Sequence, residues 1–190
     1  MNQVHLQFCA SPEWATFVEE ELLPWALTGT EIGADVLEVG AGPGLTTDVL
    51  RRRVEKLTAV EVDDALAAGL ATRLAGTNVD VVHADGTALP FESDRFDTAT
   101  CFTMLHHVPS AELQDRLLAE VQRVLRPRGL LVGTDSKASE GLAEFHDGDV
   151  YMPIDPDTLL SRMEAAGFSD VVVEEVEGRF RFLGRASAQE

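Results

Sequence analysis

From position 35 onward the chain alternates short, β-branched apolar runs with stretches of helical period. Residues 36–39, 57–62, 79–82, 98–102 and 130–133 read as five strands. Between them the pattern predicts a helix over about 45–53, an Ala/Leu helix ending near 74, and a long helix opened by Ser110. That last helix carries Leu113, Leu117, Val121, Val124 and Leu125 on one face, and Pro127 and Gly129 stop it. Asp155-Pro156 is an N-cap followed by proline at the first helical position, opening a helix that Gly167 closes. Two final runs, 171–176 and 180–183, are joined only by a tight turn at Glu177-Gly178, so they must pair antiparallel. Ahead of all this, Ser11-Pro12 opens a helix bearing Trp14, Phe17, Val18 and Leu22, which Pro24 ends or kinks. That stripe either packs on the core or covers a ligand. Strands alternating with helices imply βαβ units, hence an α/β fold with an open, mostly parallel sheet and a hairpin at one end.

Length and composition fit that reading. The 190 residues suit one domain, with 1–34 as a helical cap and 35–190 as the core. Apolar residues make up 45% and charged residues 25%, as in a folded globular protein. No apolar run reaches the roughly 18 residues of a membrane span. The first eleven residues lack the basic and apolar regions of a signal peptide. Two cysteines, Cys9 and Cys101, make neither a disulfide framework nor a CxxC zinc site, so the cytoplasm is the expected compartment. The formal net charge of −18 argues against a large nucleic-acid surface, which needs a basic stripe. The cluster Arg51-Arg52-Arg53 suits a helix C-terminus instead.

Candidate chemistry starts at Glu38-Val39-Gly40-Ala41-Gly42-Pro43-Gly44, which follows a strand and opens a helix. In an open α/β sheet this first turn is where ligands bind, and its glycines let a ligand approach the backbone. A plain glycine-rich turn is the alternative. The dinucleotide pattern GxGxxG fails in both registers, because Leu45 or Thr47 stands where the third small residue belongs. Glu61, at the end of the second strand, can accept hydrogen bonds from both ribose hydroxyls, a role that NAD and other adenosyl ligands share. Asp85 follows the third strand beside Gly86, where a carboxylate can accept from an adenine amino group.

Six segments then stand in order: Val-Leu-Glu-Val-Gly-Ala-Gly-Pro-Gly (36–44), Ala-Val-Glu-Val-Asp (59–63), Ala-Asp-Gly-Thr-Ala-Leu-Pro-Phe (84–91), Arg-Phe-Asp (95–97), Met-Leu-His-His-Val (104–108) and Arg-Val-Leu-Arg-Pro-Arg-Gly (123–129). From about 35 to 183 the chain resembles the class I S-adenosylmethionine-dependent methyltransferases, in the Leu-His-His subgroup that includes many small-molecule enzymes. The resemblance implies a Rossmann-like seven-stranded sheet in the order 3-2-1-4-5-7-6, with strand 7 antiparallel and helices on both faces. It implies S-adenosylmethionine as cofactor and S-adenosylhomocysteine as product. By the same resemblance Glu38, Gly40, Gly42 and Gly44 form the loop under the methionine part, and Thr47 lies near its carboxylate. Glu61 holds the ribose, Val62 packs on adenine, and Asp85 meets the adenine amino group with Gly86 and Thr87 close by. Backbone at Cys101 and Phe102 flanks the methionine amino group. Glu61 replaces the commoner Asp, and Pro-Arg-Gly at 127–129 replaces the usual Pro-Gly-Gly.

Methyl transfer from a sulfonium is an in-line displacement with a good leaving group, so positioning supplies much of the rate. A base is needed only where the nucleophile must shed a proton. His106 has the best position for that role and is the expected catalytic residue, a backbone-bonded histidine being the alternative; His107, His146, Asp147 and Tyr151 are further candidates. No metal site is expected, because His146-Asp147-Gly148-Asp149 lacks ligands at helical spacing. Segment 101–104 lacks the Asn/Asp-Pro-Pro-aromatic motif used on planar nitrogens. A small, partly apolar acceptor is expected, entering between the N-terminal helix and loop 136–153. Phe8, Trp14, Phe17, Phe145, Tyr151 and Met152 are available there, and the protein is expected to be a monomer or homodimer that binds neither nucleic acid nor membrane. The rival readings are a methyltransferase of RNA or protein, a non-catalytic cofactor-binding module, and an NAD-linked oxidoreductase.

Overall fold

Seven strands build one sheet: β1 (Asp35–Val39), β2 (Lys56–Glu61), β3 (Val79–His83), β4 (Phe96–Phe102), β5 (Leu125–Ser136), β6 (Phe168–Val176) and β7 (Arg179–Ala186). The computed structural model describes residues 2–187. The strand order is β3-β2-β1-β4-β5-β7-β6; β7 runs antiparallel to both neighbours and the other pairs are parallel. This is the expected order. β6 starts three residues earlier than its alternating pattern, because a bulge with Asp170 at φ 51° interrupts the ladder between Ser169 and Val172.

The helices cover both faces. On one, α6 (Ala111–Val124) buries Leu117, Leu118, Val121 and Val124, and α8 (Pro156–Ala165) adds Leu159 and Met163. On the other, α4 (Leu45–Leu50) and α5 (Asp64–Arg73) share a core with the N-terminal helices, whose Val18, Leu22, Leu23 and Ala26 are fully buried or nearly so. Those helices are α1 (Gln3–Cys9), α2 (Pro12–Phe17) and α3 (Leu23–Ala26). Pro24 does not end the helix. A π-helical turn, Val18–Leu22, widens the spiral just ahead of it and lets the chain continue to Ala26. Two short helices were not expected: α1, capped by Asn2, and α7 (Glu140–Phe145), capped by Ser139. Among the described residues no helix is long and apolar enough to cross a membrane.

Candidate active site

The strand order reverses at β1, which has β2 on one side and β4 on the other, so a crevice opens at the carboxyl edge there. The turn after β1 is shaped by its glycines. Gly40 has φ 79°, and a Cβ on it would stand 2.7 Å from Met104 Cβ. Gly44 has φ 90°, and its Cβ would meet Leu70 Cδ1 at 2.4 Å. The turn is tied down from β2. Gly40 N and Ala41 N donate to Val60 O at 2.9 and 3.1 Å. Gly42 N donates to Glu61 Oε2 at 2.7 Å, and Asp63 N donates to Glu61 Oε1 at 2.9 Å. A carboxylate oxygen has two lone pairs, so Glu61 holds the loop and still has acceptor capacity for a ligand.

Over this loop lies a cavity of about 540 Å³. Of the residues expected to bind cofactor, Gly40, Gly42, Glu61, Val62, Asp85, Gly86, Thr87 and Phe102 line it. Asp85 Oδ1 accepts from Thr87 N at 2.8 Å, which fixes the turn after β3. Glu38, Gly44, Thr47 and Cys101 stand behind the wall. Gly44 packs against α5. Thr47 is fully buried and donates to Glu38 Oε2 at 2.6 Å, while Thr46, one residue earlier on α4, lines the cavity and also donates to Glu38. Burial pushes the Glu38 carboxyl up to about 7, against the two hydroxyls that stabilise its charge. The Cys101 thiol faces the core, where burial, and then the charges of Asp135 and Glu38, push it up to about 12.

His106 is also displaced from its expected place. It sits in the 3-10 turn Leu105–His107, 5% exposed, and is not among the residues lining the cavity. Its Nδ1 lies 2.6 Å from Asp135 Oδ1, which turns the ring into the protein, and its buried Nε2 has no hydrogen-bond partner. The ring that faces the cavity is His107, whose Nδ1 lies 3.2 Å from Val150 O. Burial, then the neighbouring His106 and His5, lower His107 to about 3. Burial, then His146, lower His5 to about 4, against the raising effect of Asp149. Both rings are therefore neutral at physiological pH.

The roof comes from the N-terminal helices. His5, Cys9 and Trp14 line the cavity, and Asn2 Nδ2 donates to Phe145 O and Asp147 O at 3.0 and 3.2 Å, clamping α1 onto the segment after α7. The aromatic stripe of the sequence divides: Val18 and Leu22 enter the core, while Trp14 faces the cavity with Phe17 stacked behind it at 5.0 Å. Of the other aromatic and apolar candidates, Phe8, Phe145, Tyr151 and Met152 do not line the cavity. The sequence pattern did not single out His5, Cys9 and Met104, since nothing local to residues 5 or 9 marks a ligand pocket. Among the described residues the wall carries Glu61, Asp63, Asp85 and Asp149 and no Lys or Arg.

A reversed parallel sheet with a glycine-rich first turn, an acid ending β2 and an antiparallel β7 defines an α/β protein built to hold an adenosyl cofactor. A methyltransferase domain model matches residues 37–133, and the chain belongs to that family, the class I S-adenosylmethionine-dependent methyltransferases. A probable S-adenosylmethionine-dependent methyltransferase of Mycolicibacterium smegmatis is 30% identical over 161 residues, 81% of this chain and 58% of that protein. The ubiquinone/menaquinone biosynthesis C-methyltransferase UbiE of Hahella chejuensis is 29% identical over 178 residues, 74% of this chain and 69% of that one. A SAM-dependent methyltransferase from Aquifex aeolicus superposes with a TM-score of 0.75 at 19% identity, covering 98% and 99% of the two chains. The chain spans between 38% and 58% of the length of the first curated relatives it matches. S-adenosylmethionine is the cofactor of the family.

Proposed function

We propose that the protein transfers the methyl group of S-adenosylmethionine to a small, partly apolar acceptor, and does so by positioning rather than by general base catalysis. The observation that carries this reading is the composition of the cavity over the glycine turn. It runs from the adenosyl-type acceptors Glu61 and Asp85, past the glycine turn, to a roof of His5, Trp14 and His107. Its four carboxylates, with no Lys or Arg among the described lining residues, favour a sulfonium cation and disfavour the pyrophosphate of a dinucleotide. In this reading Glu61 holds the ribose, Val62 packs on adenine, Asp85 meets the amino group with Gly86 and Thr87 beside it, and Gly40 and Gly42 leave room for the methionine part. Thr46 takes the place assigned above to Thr47, whose hydroxyl is spent on Glu38. Glu38, Gly44 and Cys101 shape the wall from behind.

In the transfer, an electron pair of the acceptor would form the new bond to the methyl carbon as the C–S bond breaks and its pair returns to sulfur, leaving S-adenosylhomocysteine, and the acceptor's proton would pass to solvent. Neither histidine that lines the chamber suits a base: His5 and His107, lowered to about 4 and about 3, are far from the operating pH at which a base is effective, and His106 behind them is turned onto Asp135. The quinone C-methyltransferase among the relatives suggests the first acceptors to try, which are reduced, unmethylated quinones and simple phenols. The test is methyl transfer from labelled cofactor to such a panel, with His106→Asn as the variant, since its amide can still donate to Asp135. Positioning predicts a kcat within about threefold of the native value, whereas a fall of about 10²–10⁴ with loss of the acid limb restores His106 as the base.

A further inference from the structure

Four of the chain's five histidines meet at one place, although they come from three separate stretches of sequence. His5 lies on α1, His106 and His107 follow β4, and His146 caps the end of α7. Ring centroids are 4.9 Å apart for His5 and His107, 4.5 Å for His5 and His146, and 4.2 Å for His106 and His107. One ring nitrogen from each of His5, His107 and His146 lies within 4.8 Å of those from the other two.

The rings of His146 and His107 are held through Nδ1, and that of His5 turns its Nδ1 toward a carboxylate. His146 Nδ1 lies 2.6 Å from Leu142 O, His107 Nδ1 lies 3.2 Å from Val150 O, and His5 Nδ1 faces Asp149 Oδ2 at 3.4 Å. A carbonyl only accepts, so on His146 and His107 the proton sits on Nδ1 and the lone pair on Nε2. His146 is 4% exposed, and its Nε2 has no hydrogen-bond partner. A metal-binding histidine is held in this way, its second nitrogen donating to a carbonyl or carboxylate while the first carries the lone pair.

We propose that His5, His107 and His146 bind one divalent transition-metal ion of the zinc class, at the roof of the cavity, with a fourth coordination position open to water or to an oxygen of the acceptor. Neutral imidazoles suit zinc, cobalt and nickel, whereas magnesium and calcium need oxygen ligands. Zinc–nitrogen bonds of about 2.0–2.1 Å in a tetrahedron set ligand nitrogens about 3.3–3.4 Å apart, so the widest pair here closes by about 1.5 Å or less. His5 and His146 sit on elements outside the sheet, where such a movement leaves the core untouched. Asp149 beside His5 and Asp135 beside His106 supply two negative charges close to the ion. The bound ion fastens α1 to the segment after α7 and so closes the roof over the acceptor chamber. The site is independent of the methyl-transfer reading, because it is tested without cofactor or acceptor.

The experiment uses the full chain, free of any polyhistidine tag and stripped with a chelator. Zinc is titrated by calorimetry, and cobalt(II) is followed by its visible absorption. The expected result is one ion per chain with a Kd below about 10 µM and the strong visible bands of four-coordinate cobalt, bleached by zinc. His5→Gln and His146→Gln should each weaken zinc binding at least about a hundredfold and abolish the bands. His83→Gln, which alters the exposed fifth histidine, should bind as the native chain does. Thermal melts establish that the variants are folded, and the cobalt spectrum of the native chain needs no variant. Zinc binding weaker than about 100 µM, a six-coordinate cobalt spectrum, or native affinity in the His5 and His146 variants overturns the site.

Discussion

The Glu38 carboxyl lies beneath the glycine loop, 1% exposed, accepting from Thr46 and Thr47. Burial raises it from 4.5 to about 7. Between those values the folded state keeps a proton that the unfolded chain releases, so its contribution to stability falls as pH rises through that window and levels off above it. Urea unfolding at pH 5 and pH 8 checks this. Relative to Glu38→Gln, the native chain should lose roughly 2–3 kcal/mol between the two pH values. An unchanged difference between the two proteins would show that Glu38 stays ionised throughout. The strand-end pattern pointed to the glycine turn, Glu61 and Asp85, and the resemblance added Thr87; all of them line the cavity. Thr47, which the resemblance put near the cofactor's carboxylate, is buried on α4 with Val49 and Leu50, and Thr46 lines the cavity beside it. The pattern could not find the histidine cluster, whose members are neighbours only after folding.

At the scale of elements, all seven strands were legible, because β-branched runs bounded by turn residues carry a strong signal. The short helices α1 and α7 were not, since seven and six residues are too few for a helical period to declare itself. The outcome at Pro24 depended on a π turn that no local rule foretells. Packing within β5 gives a sharper test. Gly133 lies between β4 and β7, and a Cβ there would stand 2.3 Å from Phe182 Cζ and 2.4 Å from Cys101 O. The phenyl ring can turn, but the carbonyl belongs to the neighbouring strand and cannot. Gly133→Ala should therefore destabilise the fold by about 1–3 kcal/mol or more, read as a lower urea midpoint with an unchanged slope. A midpoint equal to the native one would mean that the two strands separate without cost.

For the whole molecule, sheet order, crevice and charge converge on one ligand class. The reversal at β1 fixes where the cavity lies, Glu61 binds the loop to β2, and the acidic lining selects the charge of what enters. NAD and S-adenosylmethionine share the adenosine half but differ in the other, where one carries a pyrophosphate and the other a sulfonium. The most direct measurement is calorimetry of S-adenosylmethionine, S-adenosylhomocysteine and NAD against the native chain and Glu61→Ala. The two adenosyl sulfur compounds should bind one per chain and NAD should give no measurable heat. Glu61→Ala should weaken both at least about tenfold, as expected for charge-assisted hydrogen bonds worth about 1.5–3 kcal/mol. NAD binding as tightly as S-adenosylmethionine, or an effect under about twofold in a folded Glu61→Ala protein, would contradict the account.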